Sequence, residues 1–294
     1  MTRPSTRDLR ARSVLAGDAS AAAAEFDAAL LPPSVVSSAA FFDVDNTMLH
    51  GSSIFHLARG LYRRKFFSTR QIAANAVDHF RFRMLGETPE AVANARSSAL
   101  AFIAGHRVTD LKELVEEIFD EVLADRICPG AKSLAQLHLD AGERVWLVTA
   151  APVEVARLMA NRLGLTGALG TVAEHLDGVY TGELVGDILH GAAKAEAVRG
   201  LADAEGLELS ECSAYSDSIN DLPLLELVGH PCAVNPDARL RRHAAVAGWR
   251  TRDYRTGRKA ARLGLVTAGI SGATVGALSA AKAARNGLSR RRVR

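Results

Sequence analysis

Two aspartates, Asp43 and Asp45, directly follow the apolar residues 39–42. An uninterrupted apolar run of this kind predicts a buried strand of a parallel sheet. In extended backbone, residues two apart point to the same side, so we expect the two carboxylates to lie close together. Ionised carboxylates at that distance repel each other, and Mg²⁺, which prefers oxygen ligands, would relieve the repulsion. A carboxylate activated in this way can attack phosphorus, so the pair predicts Mg²⁺-dependent phosphoryl chemistry.

Further residues that bind phosphate or metal stand at the boundaries of other predicted elements. Thr149 closes the second predicted strand, and its hydroxyl could donate a hydrogen bond to a phosphate oxygen. Lys194 opens a predicted helix, where an ammonium and free N–H groups can hold an anion. Asp217 and Asp221 follow another predicted strand. Each of these residues alone is more often a turn former, a strand residue or a solvated charge. Their common placement at element boundaries predicts a single site.

Predicted strands and helices alternate from residue 128 onward. The expected strands are residues 39–42, 144–149, 169–173, 213–215 and 231–234, and the expected helices are residues 130–139, 153–163 and 192–204. This alternation predicts right-handed βαβ units and a parallel sheet, with the site at the carboxyl ends of its strands. Between the first two strands, residues 54–126 show helical periodicity and no strand signal, which indicates a helical block.

With these motifs in this order, the sequence resembles the haloacid dehalogenase superfamily of hydrolases, and within it the phosphoserine-phosphatase-like subclass, subfamily IB. The four motifs are Asp43-Val44-Asp45-Asn46-Thr47, Leu147-Val148-Thr149, Lys194 and Asp217-Ser218-Ile219-Asn220-Asp221. The resemblance implies an α/β fold, a Rossmann-like three-layer core with a parallel sheet, plus an inserted α-helical cap domain. The core is then expected in residues 38–53 and 127–250, and the cap in residues 54–126.

The resemblance also implies a phosphomonoesterase that acts on a small phosphorylated metabolite through an aspartyl-phosphate intermediate. Asp43 would be the nucleophile, and Asp45 would protonate the leaving alkoxide and then take a proton from water. The implied cofactor is Mg²⁺, and its implied site is made of Asp43, Asp45 through its backbone carbonyl, Asp217 and Asp221. The residues implied to hold the phosphoryl group are Thr149, Lys194 and Asn220.

One departure from the subclass concerns the substrate. Members that hydrolyse phosphoserine carry a Glu nine residues after the nucleophile, where it holds the substrate ammonium, and here that position is Ser52. An ammonium without a partner would be poorly accommodated in a closed site. Ser216 and Ser218 also stand where the subclass has glycines. The resemblance therefore implies the reaction and leaves the substrate open.

The two ends of the chain lie outside the resemblance. We expect residues 1–37 to be a flexible N-terminal arm, with a short helical stretch ended by Pro32-Pro33. Residues 251–294 form a basic and hydrophobic tail, in which residues 263–281 carry no charge and could contact or span a membrane. The tail keeps open an alternative function, a membrane-surface phosphatase acting on a phospholipid or lysophosphatidate head group. A non-catalytic regulatory protein on the same fold is a third reading.

The composition limits the classes of partner and the kinds of site that we expect. The net charge of +3 is small for 294 residues, so no nucleic-acid-binding face is expected. The three cysteines, Cys128, Cys212 and Cys232, are far apart, which supports neither a disulfide framework nor a zinc site. The polar N-terminus lacks the apolar core of a secretory signal. We therefore expect a cytoplasmic protein whose tail could associate with the inner face of the membrane.

Overall fold

The computed structural model describes residues 6–28, 36–64 and 103–255. Its strands are β1 Ala39–Asp43, β2 Arg144–Pro152, β3 Gly167–Thr171, β4 Ala173–Leu176, β5 Val179–Leu184, β6 Ser213–Ser216, β7 His230–Val234 and β8 Arg250–Arg252. Six of them form one sheet in the order β3-β2-β1-β6-β7-β8, and each neighbouring pair is parallel. Strands β4 and β5 form a separate antiparallel hairpin.

Helices cover both faces of the sheet. They are α1 Thr6–Ala28, α2 Ser53–Arg63, α3 Val108–Ile118, α4 Pro129–Asp140, α5 Val153–Leu163, α6 Ala192–Glu205, α7 Leu222–Leu225 and α8 Ala238–Ala247. Phe41, on one face of β1, packs with apolar residues of α1, α6 and α8. Phe42 points to the other face, where its ring centroid lies 6.3 Å from that of His138 in α4. The predicted α/β class with a parallel sheet between helical layers is confirmed.

Strand β1 is buried along its whole length because it lies between β2 and β6. Asp43 is its last residue and pairs with Val148 of β2. The carboxyl ends of neighbouring parallel strands therefore meet at one edge of the sheet. The sequence predicts that strand β2 ends at Thr149, but the strand continues to Pro152 with an irregular register after Val148. The expected boundary is wrong because the chain bulges there and then resumes pairing with β3.

The N-terminal residues differ from the flexible arm predicted for them. Thr6–Ala28 form a helix of 23 residues that packs along α6. The two helices approach closely at Gly17, because a Cβ there would lie 2.7 Å from the Cβ of Glu196. The Ser20 hydroxyl also accepts a hydrogen bond from the Gly170 amide of β3, at 2.9 Å. The expectation of a flexible arm is wrong here because small residues let two helices meet closely without a stripe of large apolar side chains.

Two helices from the predicted cap region, α2 and α3, belong to the described part of the chain. They share an apolar cluster with α5 and the β4–β5 hairpin, made of Leu57, Leu61, Leu111, Val115, Ile118, Val155, Ala173 and Tyr180. Residues 65–102 lie outside the described residues. The helical cap over residues 54–126 therefore stays a prediction.

The C-terminal tail falls almost entirely outside the described residues. Met1–Arg252 form one compact unit, and of the second unit, Asp253–Arg294, the structure describes only the first three residues. The predicted membrane-contacting residues 263–281 are not among them. Of the helices within the described ranges, none combines the length and the apolar character needed to cross a bilayer.

Candidate active site

A buried ammonium lies between two carboxylates at the carboxyl edge of the sheet. Lys194 Nζ donates hydrogen bonds to Asp43 Oδ1 at 2.6 Å and to Asp221 Oδ2 at 2.8 Å. Asp221 Oδ2 also accepts a hydrogen bond from the Ser216 hydroxyl, at 2.8 Å. All four residues are at least nine-tenths buried, so these contacts are shielded from water. The structure thus joins residues that are up to 178 positions apart in sequence, Asp43 and Asp221.

Lys194 reaches this place because of how α6 begins. Gly191 precedes the helix with a φ of 54°, a left-handed conformation that glycine adopts without strain. Ala193 and Ala197 bury one side of the helix in the core. Lys194, in the first turn, is thereby directed towards the end of β1 and the loop after β6. The positively polarised end of α6 adds to the ammonium as a potential anion-binding feature.

The charges in this cluster do not balance. Burial, reinforced by Asp221 and Asp217 and opposed by Lys194, raises the pKa of Asp43 from 3.8 to about 8. Burial and the charge of Asp221 raise the pKa of Asp217 from 3.8 to about 7. Burial would lower the pKa of Lys194, but the carboxylates of Asp43 and Asp221 outweigh that effect and raise it. One ammonium is therefore surrounded by more negative charge than it can neutralise.

The loop after β6 brings Asp217 and Asn220 to the same edge. Asp217 directly follows the strand and is close enough to Asp43 to raise its pKa. The Ser218 hydroxyl accepts a hydrogen bond from the Asn220 amide at 3.2 Å, which caps the turn Ile219–Asp221. The Asn220 carbonyl oxygen lies 3.4 Å from the position that a Cβ on Gly191 would occupy. Asn220 is thus beside the start of α6, as a phosphate-contacting residue would need to be.

Asp45 and Thr149 lie at the same edge and take part in local hydrogen bonds. Asp45 Oδ1 accepts a hydrogen bond of 2.8 Å from the amide of Ser53, the first residue of α2. The Thr149 hydroxyl is buried and accepts one of 3.1 Å from the Ala151 amide. Because a hydroxyl also donates, Thr149 keeps a proton for a phosphate oxygen. The structure records no direct bond from either side chain to Asp43 or Lys194.

Two asparagines at the site were not singled out from the sequence as functional. Asn46 and Asn235 follow β1 and β7, and both have positive φ, 57° and 49°. The Asn235 amide group donates to the Asn46 carbonyl at 2.8 Å. The Asn46 side chain also hydrogen-bonds Asp217 and so opposes the rise of its pKa. The sequence signal that could have identified them is an Asn shortly after each strand, because Asn tolerates the left-handed region of backbone conformation. The same pattern is common in ordinary turns.

The donor set suits a hard divalent cation. Asp43, Asp217 and Asp221 supply carboxylate oxygens, and their excess negative charge is what such a cation would neutralise. Within the described ranges, no three His, Cys, Asp or Glu side chains are already grouped as ligands of one ion. Mg²⁺ is commonly held by one or two carboxylates together with water and phosphate oxygens. The residues present therefore fit Mg²⁺.

Comparison with known proteins agrees with this geometry. Residues 40–226 match the family model of haloacid dehalogenase-like hydrolases. The chain is 55% identical over 250 residues to the phosphoserine phosphatase SerB1 of Mycobacterium tuberculosis, covering 85% of this chain and 81% of the relative. A probable phosphatase of the same organism is 36% identical over 211 residues, covering 72% and 73%.

A solved structure extends the agreement to the fold. A protein of unknown function from Bordetella pertussis is 31% identical and superposes with a TM-score of 0.67, over 74% of this chain and 99% of that protein. The family match spans more than half of the chain and contains all four motifs predicted from the sequence. The chain belongs to the haloacid dehalogenase-like hydrolases.

Proposed function

We propose that the protein is a phosphomonoesterase in which Asp43 is the nucleophile. The observation that carries the proposal is the buried bridge from Lys194 to Asp43 and Asp221. It holds one oxygen of Asp43 in place and provides a fixed positive charge beside the atom that would attack. Charge on the transferred phosphoryl oxygens must be stabilised in the transition state, and a preorganised ammonium does this without reorganisation.

The remaining steps use Asp45 and water. Asp43 attacks phosphorus, the bond from phosphorus to the leaving oxygen breaks, and Asp45 gives its proton to that oxygen. Water then attacks phosphorus of the aspartyl-phosphate while Asp45 takes one of its protons, which releases inorganic phosphate and restores both carboxyl groups. The hydrogen bond from the Ser53 amide to Asp45 Oδ1 supports this role, because it orients the carboxyl group. Thr149, Lys194 and Asn220 are proposed to hold the phosphoryl oxygens.

Mg²⁺ is the proposed cofactor, as is general for hydrolases of this family. Asp43, Asp217 and the backbone carbonyl of Asp45 are the proposed ligands. When bound, Mg²⁺ would supply the positive charge that offsets the repulsion between the carboxylates and between them and the phosphate. Asp221 was predicted as a further metal residue. Because its Oδ2 already accepts hydrogen bonds from Lys194 and Ser216, we propose that it positions Lys194 instead.

The proposed substrate is a small phosphate ester that does not need an ammonium group. Ser52 is the N-cap of α2, and its hydroxyl accepts a hydrogen bond from the Phe55 amide at 3.4 Å. It therefore serves the helix and offers no charge to a substrate amine. The name of the mycobacterial relative makes phosphoserine the first compound to test. The informative comparison is with 3-(phosphonooxy)propanoate, which lacks only the amino group.

The test of the chemistry is the variant Asp43→Asn. It keeps the shape of the side chain and replaces the nucleophilic carboxylate by an amide, so Mg²⁺-dependent release of phosphate from an aryl phosphate should fall by at least about 1,000-fold. The matched control is Asp203→Asn, an exposed residue near the end of the helix that carries Lys194. Its activity should equal that of the wild type. Turnover by Asp43→Asn near the wild-type rate would refute the assignment.

The phospholipid alternative rests on residues 263–281, which lie outside the described residues, and no observation on the described ones favours it. The non-catalytic alternative is tested by the same assay. A wild-type protein without phosphatase activity towards aryl phosphates and a panel of phosphorylated metabolites would favour it.

A further inference from the structure

The loop after β7 touches both of the loops that carry the acidic residues. Asn235, the first residue of that loop, is 1% exposed and donates through Nδ2 to the Asn46 carbonyl at 2.8 Å. Asn46 belongs to the loop between Asp45 and α2. The contact therefore joins residues 189 positions apart and ties the loop after β1 to the loop after β7.

A second set of bonds ties the loop after β7 to the loop after β6. The Asp237 amide donates to the Asp217 carbonyl at 2.7 Å, and Asp237 Oδ2 accepts from the Ile219 amide at 2.9 Å. Asp237 Oδ1 in turn caps α8, accepting from the Arg239 and Leu240 amides at 2.7 Å each. These backbone bonds outweigh the effect of burial and lower the pKa of Asp237. Residues 235–237 thus hydrogen-bond both to the loop after β1, which follows Asp43, and to the loop after β6, which carries Asp217.

These hydrogen bonds are needed because the residues that they hold near one another carry like charges. Asp43, at the end of β1, and Asp217, directly after β6, are carboxyl groups at the same edge of the sheet, and like charges at close range repel each other. Asn46 and Asn235 also hold left-handed backbone, which is less favourable for any residue other than glycine. Strained backbone that persists at a functional site is expected to serve positioning, and the bond between these two asparagines gives the physical means.

We propose that Asn235 is a positioning residue for the Mg²⁺ site. Its side chain fixes the peptide of Asn46, and with it the neighbouring Asp45 carbonyl, relative to Asp217. The asparagine acts through these groups and does not contact the ion. Residues that orient metal ligands commonly change metal affinity or activity by about 10- to 100-fold when removed. The inference rests on the proposed phosphatase function, because that function requires the metal.

The variant Asn235→Gly tests the role of the side chain alone. Glycine adopts a φ of 49° without strain, so the backbone conformation is retained while the hydrogen bond to Asn46 is lost. We expect Mg²⁺ binding, measured by titration calorimetry without substrate, to weaken by about tenfold or more. The Mg²⁺ concentration that half-saturates turnover should rise by the same factor. At saturating Mg²⁺, KM for an aryl phosphate should stay within about twofold of the wild type.

The matched control is Asp177→Gly. Asp177 also has positive φ, 50°, but lies exposed in the β4–β5 turn. The Asp177→Gly variant should bind Mg²⁺ with the same affinity as the wild type. Should Asn235→Gly not fold, Asn235→Asp replaces the Nδ2 donor by an oxygen at the same place and should weaken Mg²⁺ binding likewise. Unchanged Mg²⁺ affinity in the folded Asn235 variant, or an equal loss in the control, would overturn the proposal. A wild-type protein that binds Mg²⁺ but releases no phosphate would refute the proposed function and leave the positioning result readable.

Discussion

Replacing Lys194 by methionine would remove the only positive charge found in the described part of the cluster and keep the length of the side chain. Lys194 is 3% exposed, and its ammonium donates hydrogen bonds to both Asp43 and Asp221. Without it, these carboxyl groups lose their counter-ion inside the protein. Removing one partner of a buried ion pair typically lowers the free energy of unfolding by about 3–5 kcal/mol.

The loss has an upper limit that depends on pH. A carboxyl group without a counter-ion can take up a proton, and this costs about 1.4 kcal/mol for each pH unit above the ordinary Asp pKa of about 3.9. For each buried carboxyl group that protonates after losing its counter-ion, the limit is thus about 4 kcal/mol at pH 7 and about 1.5 kcal/mol at pH 5. The destabilisation by Lys194→Met should therefore shrink as the pH falls.

Urea unfolding of the metal-free protein at pH 7 and pH 5, followed by circular dichroism, measures this difference. Lys132→Met is the matched control, because Lys132 is exposed on α4, and its unfolding free energy should change by less than about 0.5 kcal/mol. Adding Asp43→Asn to Lys194→Met should recover part of the loss, with a coupling of about 0.5–3 kcal/mol. An effect of Lys194→Met that is absent, or equal at the two pH values, would refute the electrostatic account of the cluster.

Four further predictions concern the same site, α1 and Ser52. Mg²⁺ binds ionised carboxylates, and the pKa values of Asp43 and Asp217 are raised to about 8 and about 7. Calorimetry should therefore show that Mg²⁺ binding weakens as the pH falls from 8 to 6. The affinity should fall by up to about tenfold per pH unit for each proton that binding releases. The same raised values mean that the metal-free protein loses stability as the pH rises through 7 to 8, and a melting temperature independent of pH would contradict them. Gly17→Leu should lower the free energy of unfolding by about 1–3 kcal/mol in urea, because even its Cβ would lie 2.9 Å from the backbone nitrogen of Ala197 and would push the two helices apart. An unchanged midpoint would mean that α1 is not packed as described. Ser52→Glu should raise the ratio of kcat/KM for phosphoserine over 3-(phosphonooxy)propanoate, and a constant ratio would show that position 52 does not face the substrate.

Strand β1 was predictable because residues 39–42 form an uninterrupted apolar run. Residues 39–42 end at Asp43, and the structure places the end of β1 there. The helix expected at residues 153–163 has the same bounds in the structure, Val153–Leu163, because its apolar positions recur with helical spacing. A parallel sheet then brings the strand ends to one edge, so the grouping of Asp43, Lys194 and Asp221 followed from topology.

Other features depend on contacts that leave no local pattern. Helix α1 buries alanine, glycine and serine, which a sequence-based reading takes for a weakly ordered arm. The bond from Asn235 to Asn46 joins a side chain to a backbone carbonyl 189 residues earlier, and a carbonyl is present at every position. The extension of β2 beyond Thr149 results from a bulge, which depends on pairing with β3. The roles assigned to the individual site residues stay predictions until the variants are measured.

The docking of α1 on α6 has a consequence for how the chain folds during synthesis. Helix α1 is made well before its partner α6, and the bond from Gly170 to Ser20 already spans 150 residues. Contacts so distant in sequence slow folding, because the entropy cost of closing a long loop comes before the contacts that stabilise it can form. The ribosome adds about 5–20 residues per second, so α1 waits roughly ten seconds or more before α6 exists. Its small, weakly apolar surface suits that delay, since it offers little for aggregation while it remains unpaired.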